Sequence, residues 1–343
     1  MAFQAHLPSS FGIPSPVEIQ GYVEEYDPGD AIDPTEEWMP DEPQMDEAIA
    51  WDVVSPTGGL AEAYDPDGDF MIDKPHILKT WTEDTAYWGK RFPLTQKDIL
   101  RSRKPGTLEI DGEALAMGLT NKGIKQLRNR KIMLRWAIIL GATTIDSNGV
   151  KRTIDYSSYL AGTPSASVAW STIASADPIY DMQVWAELFD DKSDGGIDCY
   201  VNPKTMKWLA NNAKVRDLVK QSGEVRRLGN GNVAELLLEL AGVRVRRIVA
   251  HRGRYRDSSG TLQWLIPDGK MVMKADTPDN QKFGAWRSTP STYKGGLNPQ
   301  PGMFTVVDDQ LAKKGRWSVI VGEHGLPVMY LPGCIAVCTL YTP

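Results

Sequence analysis

Residues Asp111–Gly141, DGEALAMGLTNKGIKQLRNRKIMLRWAIILG, carry the pattern around which the rest of the chain is read. Leu115/Leu119, Ile124/Leu127 and Leu134/Ile138 recur at spacings of three and four, the period of one helix face. Asp111 can cap the N-terminus and Gly141 can take the left-handed conformation that ends a helix. Lys122, Lys125, Gln126, Arg128, Arg130 and Lys131 fall on the polar side. Roughly thirty residues at about 1.5 Å each predict a rod about 45 Å long. Gly118 and Gly123 each weaken a helix by about 1 kcal/mol relative to Ala and mark a place to kink. Ile132–Leu140 is apolar on all sides apart from Arg135, so that end is expected to be buried. At about ten residues the run is half the roughly twenty a membrane span needs.

Working outward, the 343-residue length allows two or three structural units, and 41% hydrophobic with 24% charged residues is the make-up of a folded domain. The start, MAFQAHLPSSFGIPSP, lacks the basic and apolar regions of an export signal. Three cysteines, Cys199, Cys334 and Cys338, make no disulfide framework. Charge is distributed unevenly. Residues 1–73 hold eighteen Asp and Glu and no Lys or Arg, whereas 74–343 hold 26 acids and 38 bases, a net of +12. Such a split predicts that the acidic segment lies on something basic, the alternative being a solvated tail. Phe3, Phe11, Tyr22, Tyr26, Trp38, Trp51, Tyr64 and Phe70 argue against plain disorder.

Seven prolines in residues 1–47 predict an extended arm with local turns. Ala48–Ser55 alternates as a strand with Ile49, Trp51 and Val53 on one face, and His76–Thr82 returns after a Gly/Pro/Asp-rich tip. A two-stranded ribbon is marginal alone in water. Thr95 caps a short helix that stops at Lys104-Pro105-Gly106. Beyond the rod, Asn148-Gly149 turns a hairpin. Asp177-Pro178 opens a helix with Met182, Trp185 and Phe189 on one face, and Gly196–Val201 is a strand followed by a helix capped at Asn202-Pro203. A helix at 232–242 leads into the strand VRVRRIVA, and a hairpin turns around Ser258–Gly260. GAWRSTPSTYKGGLNPQPG is expected to be a long loop, before three closing strands, FTVVDD, RWSVIVGEHGLPVMY and CIAVCTLY. Helices and strands mix without a βαβ repeat, which makes the fold class α+β.

No Walker loop, GxGxxG after a strand, GxSxG, HExxH or CxxC is written in the chain. His324 with Cys334 and Cys338 has the residue types of a metal cluster, but two small side chains four apart on a strand fit a buried pair better. His251 is expected on the surface, beside Arg252, Arg254 and Arg256. The eleven tryptophans are scattered, as packing residues are, rather than grouped as a sugar platform. The basic groups Lys122–Arg135, Lys214–Arg227 and Arg244–Arg256 could face a polyanion, the acidic arm or solvent, and no nucleic-acid-reading motif accompanies them. No cofactor, metal or catalytic residue is expected.

The order of these segments resembles the lambda-type major capsid protein E family of tailed phages, with the Hong Kong 97-like fold. The matching stretches are IAWDVVSPTGGLAEAY with FMIDKPHILKTWTEDTAYW (the extended loop), PLTQKDILRSRKPGT, and LRNRKIMLRWAIILGATTI (the spine helix). IDCYVNPKTMKWLANNAKVRDLV, LQWLIPDGKMVM, PQPGMFTVVDD and RWSVIVGEHGLPVMYLPGCIAVCTL resemble later segments. Residues 48–343 are covered, whereas 1–47 match only the idea of an N-terminal arm. The resemblance implies an N-terminal arm at 1–47, whose acidity is read from composition alone, an extended loop at 48–93, a peripheral domain at 94–196 with 301–329, and an axial domain at 197–300 with 330–343. It also implies a structural, non-enzymatic head protein of the virion, assembled in the host cytoplasm into pentamers and hexamers of an icosahedral shell around double-stranded DNA. The DNA would be bound without sequence specificity, and scaffolding, portal and decoration proteins are candidate partners; no membrane is involved. A nanocompartment shell of the same fold and a carbohydrate-active enzyme are the competing readings. Candidate inter-subunit contacts are Ile49, Trp51 and Val53, whose face the ribbon cannot cover, the arm residue Trp38, and Lys122, Lys125 and Arg128, on which a neighbour's arm would lie.

Overall fold

The computed structural model describes residues 32–46, 48–55, 77–102, 111–147, 150–193, 195–221, 244–257, 259–278, 281–291, 298–308 and 316–341. The first part of the arm, the loop tip, the helix expected at 232–242 and the turn residues Asn148-Gly149 lie outside them.

The arm is less irregular than expected, because α1 (Pro34–Trp38) interrupts it. Pro34 sits where a helix needs no N–H, Asp33 accepts from the Thr35 amide, and Glu36 reaches back to the Asp33 amide. Strand β1 (Asp41–Pro43) follows, then β2 (Ala48–Val54) and β3 (Ile77–Asp84), which pair as the two-stranded ribbon. After β4 (Ala86–Thr95) comes α2 (Gln96–Arg101), begun by reciprocal bonds between Thr95 and Asp98. The rod is α3, Gly112–Ile139, 28 residues. Asp111 Oδ1 accepts from the Ala114 amide at 3.0 Å, and Gly141 ends the helix at φ +119°.

Strands β5 (Ala142–Ser147) and β6 (Val150–Asp155) form the expected hairpin, closed at Ser147 opposite Val150. Next come α4 (Pro178–Ala186), β7 (Ile197–Val201), α5 (Pro203–Asn211) and α6 (Ala213–Gln221). Asp177 and Asn202 cap α4 and α5 as their sequences imply. The rest is β-structure: β8 (Val245–Ala250), β9 (Arg254–Arg256), β10 (Leu262–Trp264), β11 (Lys270–Ala275), β12 (Gly284–Ser291), β13 (Asn298–Pro301), β14 (Met303–Asp308), β15 (Arg316–Met329) and β16 (Ile335–Thr339).

The chain forms two compact units. Unit 1 comprises residues up to Ala50, Thr82–Ile132 and Ala285–Val328. Its sheet runs β1-β12-β15-β14, with β13 on β12 and β4 on β15. The α3 residues Ala116 and Ile124 pack on Leu94, Trp317, Val319 and Val321. A Cβ at Gly123 would lie 2.7 Å from the Val321 side chain, so this glycine lets helix and sheet approach rather than kinking the helix. Strand β12 overturns the expected loop. Its Gly, Pro, Ser and Thr read as a turn-rich segment, yet Ala285, Trp286, Ser288, Thr289 and Ser291 are buried. A strand buried on both faces shows no alternation, and its hydroxyls find partners inside.

Unit 2 comprises Trp51–Trp81, Met133–Gly284 and Met329 onward. Its central sheet is β16-β11-β7-β8, with β7 and β8 parallel. Met182, Trp185 and Phe189 pack on Ile197, Cys199, Met271 and Met273 of that sheet. The hairpin β5–β6, grouped by sequence with the peripheral segments, belongs to this unit. Leu134, Trp136, Ile138 and Arg135 are all buried, as the apolar end of α3 implied. Cys334 lies in the 3₁₀ turn Pro332–Cys334, not on the strand with Cys338. No described helix is long and apolar enough to cross a membrane.

Candidate assembly site

In unit 1 the described part of the arm is built into the fold. Glu36 accepts from Arg128 twice, Nε to Oε1 at 2.8 Å and Nη2 to Oε2 at 2.7 Å. The carboxylate that completes the α1 cap is therefore also held by the rod. One turn of α3 further, Lys131 Nζ donates to Asp41 at 2.5 Å and to Glu323 at 3.0 Å. Trp286 Nε1 donates to the same Glu323 oxygen at 2.7 Å. Lys131 and Glu323 are buried, whereas the Asp41 side chain is half-exposed. Burial raises the Glu323 carboxyl above its usual range, Lys131 opposes that, and Asp41 adds to it. The backbone agrees with the charges: β1 runs parallel to β12, and Gln44 N donates to Ser288 O at 2.8 Å. Arg287 secures the end of the arm through Gln44 Oε1 at 3.1 Å and Ala50 O at 3.0 Å.

In unit 2 the root of the ribbon is equally well covered. Trp51 Nε1 donates to the Tyr156 hydroxyl at 3.0 Å, and the Met329 amide donates to the same oxygen at 3.1 Å. Burial pushes the Tyr156 phenol up, so this acceptor stays neutral. The Trp51 and Trp81 rings stack at 6.0 Å, and Lys79 lies 3.6 Å from the Trp81 centroid. Thr80 donates to Asp52 across the ribbon at 2.6 Å.

These contacts among the described residues are latches that hold extended segments on a scaffold. The family model for phage major capsid protein E matches residues 83–339. The chain belongs to that family. Among curated proteins none matches the chain. A phage-related protein from Bordetella bronchiseptica RB50 is similar in fold, with a TM-score of 0.59 at 12% identity over 95% of this chain and 97% of that one. The protein assigned as a capsid protein of an E. coli CFT073 prophage gives a TM-score of 0.55 at 16% identity, covering 78% of this chain and 81% of the other. This capsid protein therefore has the α+β, Hong Kong 97-like fold that the order of its segments implied.

Several contact residues of the capsid chain stand differently from the sequence reading. Ile49, Trp51 and Val53 are buried within the chain itself. Their burial removes the reason given for a neighbouring subunit, which counted only the ribbon; Trp51 in particular is covered through its bond to Tyr156. Lys122 and Lys125 are exposed on α3, whereas Arg128 is half-buried under Glu36. Of the arm, Glu36 and Asp41 are held by Arg128 and Lys131 of their own spine, and Asp41–Gln44 lie along β12. Trp38 is half-buried.

Arg244, Arg246 and Arg247, read as a polyanion-facing group, hold the chain's own acids. Arg244 pairs with Asp190 at 2.6 Å, Arg246 with Asp198 at 3.0 Å and Asp276 at 2.9 Å, and Arg247 with Asp198 at 2.8 Å. Burial raises the Asp198 carboxyl, but the bonds from Arg246 and Arg247 outweigh it and hold it below 3.8. His251 is buried against the Trp136 ring at 4.8 Å rather than exposed. His324, which shares residue types with a metal cluster, lies instead between Thr85 at 2.5 Å and Thr289 at 2.9 Å, under the Tyr87 ring. Trp51, Trp88, Trp136, Trp170, Trp185, Trp286 and Trp317 are buried, which withdraws them from sugar stacking. The latch at Asp33–Glu36 carried a readable signal, since Asp-Pro-Thr-Glu is a capping box. Glu323 carried another: it is the one acid in an apolar strand, RWSVIVGEHGLPVMY.

Proposed function

We propose that this capsid protein assembles with copies of itself, as pentamers and hexamers, into the icosahedral head that encloses a phage's double-stranded DNA. The match of residues 83–339 to the major capsid protein E family carries this reading. In this reading the protein performs no catalysis and holds DNA without reading its sequence. It is assembled in the host cytoplasm, with scaffolding, portal and decoration proteins as candidate partners. The division into arm (1–47), extended loop (48–93), peripheral domain (94–196 with 301–329) and axial domain (197–300 with 330–343) belongs to the same proposal. Light scattering and negative-stain microscopy of the purified protein test it. Closed particles of uniform size are expected; a monodisperse monomer at all protein and salt concentrations would reject the reading.

A further inference from the structure

Glu36 and Asp41 of the described arm are paired with Arg128 and Lys131 of their own spine, and Glu42 lies 3.9 Å from Arg287; the acids before residue 32 are a separate group. Residues 18–30, EIQGYVEEYDPGD, carry Glu18, Glu24, Glu25, Asp27 and Asp30 and no base. Among the described residues one basic group stands without an acidic partner: Arg252, Arg254 and Arg256, all exposed. Arg254 and Arg256 lie on β9, directly opposite Trp264 and Leu262 of β10. Directly opposed and alternate residues share a face, so one side of this hairpin presents two guanidiniums, a tryptophan and an exposed leucine. Arg254 lies 3.5 Å from the Trp264 centroid, and Arg256 Nη1 donates to Gly260 O at 2.9 Å. Both guanidiniums are thus oriented before anything binds, with N–H groups left over for a carboxylate. The nearby Asp257 is engaged by the turn, through Ser259, Thr261 and Gln263.

We propose that this face of the β9–β10 hairpin is a docking site for residues 18–30 of another copy of the chain. The inference rests on the shell reading only in taking the occupant from a neighbour. Glu25 and Asp27 are two apart, so in an extended chain they share a face about 6.8 Å apart, at ~3.4 Å per residue. That is the spacing of Arg254 and Arg256 along β9. Pro28 restricts Asp27 to extended conformations, which lowers the cost of binding in that form. The mixture of cations with Trp264 and Leu262 suits a segment in which the apolar Val23 shares the face of Glu25 and Asp27. A phosphate backbone would use the arginines alone.

A fluorescein-labelled peptide of residues 17–31, titrated onto the full-length Glu25→Arg/Asp27→Arg protein and read by anisotropy, tests the site without competition from the resident arm. Arg254→Glu/Arg256→Glu is expected to weaken binding about tenfold or more. The neutral pair Arg254→Gln/Arg256→Gln should give a smaller loss in the same direction, with unchanged circular dichroism. Equal affinity for all three proteins overturns the site. In particles, either charge reversal alone should lower the salt concentration at which shells come apart, and the two together should restore it. Absence of restoration overturns the assigned occupant, as does restoration by Asp65→Arg/Asp67→Arg in place of the arm reversal. Loss of packaged DNA at unchanged salt resistance would mark the face as a nucleic-acid contact and also overturn it. Peptide binding is read on unassembled subunits. A failure to form shells therefore leaves the site standing, and shells whose subunits ignore the peptide reject only the site.

Discussion

Lys131 is the side chain on which the arm and the sheet of unit 1 converge. A buried ammonium is tolerable only with its counter-charges, and breaking a buried pair by removing one member costs about 3–5 kcal/mol. Lys131→Met is expected to destabilise the unassembled subunit by about that amount, because Glu323 loses its cation and Asp41 loses its anchor. Urea unfolding of wild type and variant measures it, and an unchanged midpoint would show that the latch adds nothing. Asp198 contributes to the acid limb of unit 2's stability, alongside Asp155, Asp177 and Asp257, whose carboxyls are also lowered. Its folded carboxyl titrates below the ordinary 3.8. Its contribution is therefore complete above about pH 4 and is lost as pH falls from there through the folded value. Asp198→Asn should flatten that part of the stability–pH curve and leave the neutral limb parallel to wild type.

Among the elements, α3 and the ribbon make separate predictions. Gly118 has nothing within 4 Å of where a Cβ would stand, whereas a Cβ at Gly123 meets Val321 at 2.7 Å and Phe92 at 3.1 Å. Gly118→Ala should stabilise by up to about 1 kcal/mol through helix propensity. Gly123→Ala gains the same propensity but must displace a β-branched core side chain, and overpacking typically costs about 1–3 kcal/mol. The two substitutions in one helix should shift the melting temperature in opposite directions; equal shifts would place Gly123 away from the sheet. In the ribbon, Trp51→Ala removes a buried indole and the Tyr156 hydrogen bond together. A loss of about 3–5 kcal/mol is expected already in the unassembled subunit. Normal subunit stability with defective shells would return Trp51 to an inter-subunit contact.

For the molecule as a whole, the described part of the acidic N-terminal arm, from residue 32, belongs to the fold of unit 1. Residues 32–46 contribute a capped helix, a parallel strand and the ion pairs Glu36–Arg128, Asp41–Lys131 and Glu42–Arg287 to unit 1, so a chain lacking residues 1–47 should lose stability as a folded subunit. If residues 18–30 dock on a neighbouring copy as proposed, a chain lacking only residues 1–31 should show its defect chiefly in assembly. Circular dichroism melts together with particle sizing separate the two cases. About 1 M salt shortens the Debye length to about 3 Å. Exposed contacts should weaken there, while the buried Lys131–Glu323 pair should be little affected.

Much of the fold was legible because its signals are local. Asp111 and Gly141 bracket α3, Asp177-Pro178 and Asn202-Pro203 open α4 and α5, and the ribbon and both hairpins follow from alternation and turn residues. Each of these is written within a few adjacent residues and stabilises its element whatever surrounds it. The sequence by itself thus determined these elements, the α+β class and the resemblance that the family match bears out. Only the tertiary structure decided which partners those elements meet. Lys131 and Glu323 lie 192 positions apart, and Trp51 and Tyr156 lie 105 apart. Nothing in the local pattern of either residue names the other. Strand β12 was hidden for the same reason: with both faces covered, its Ser and Thr are polar in sequence and satisfied only in three dimensions. The arm's acids could be seen to need bases, but that the bases belong to the chain's own spine is a matter of distance, and distance exists only in the folded molecule.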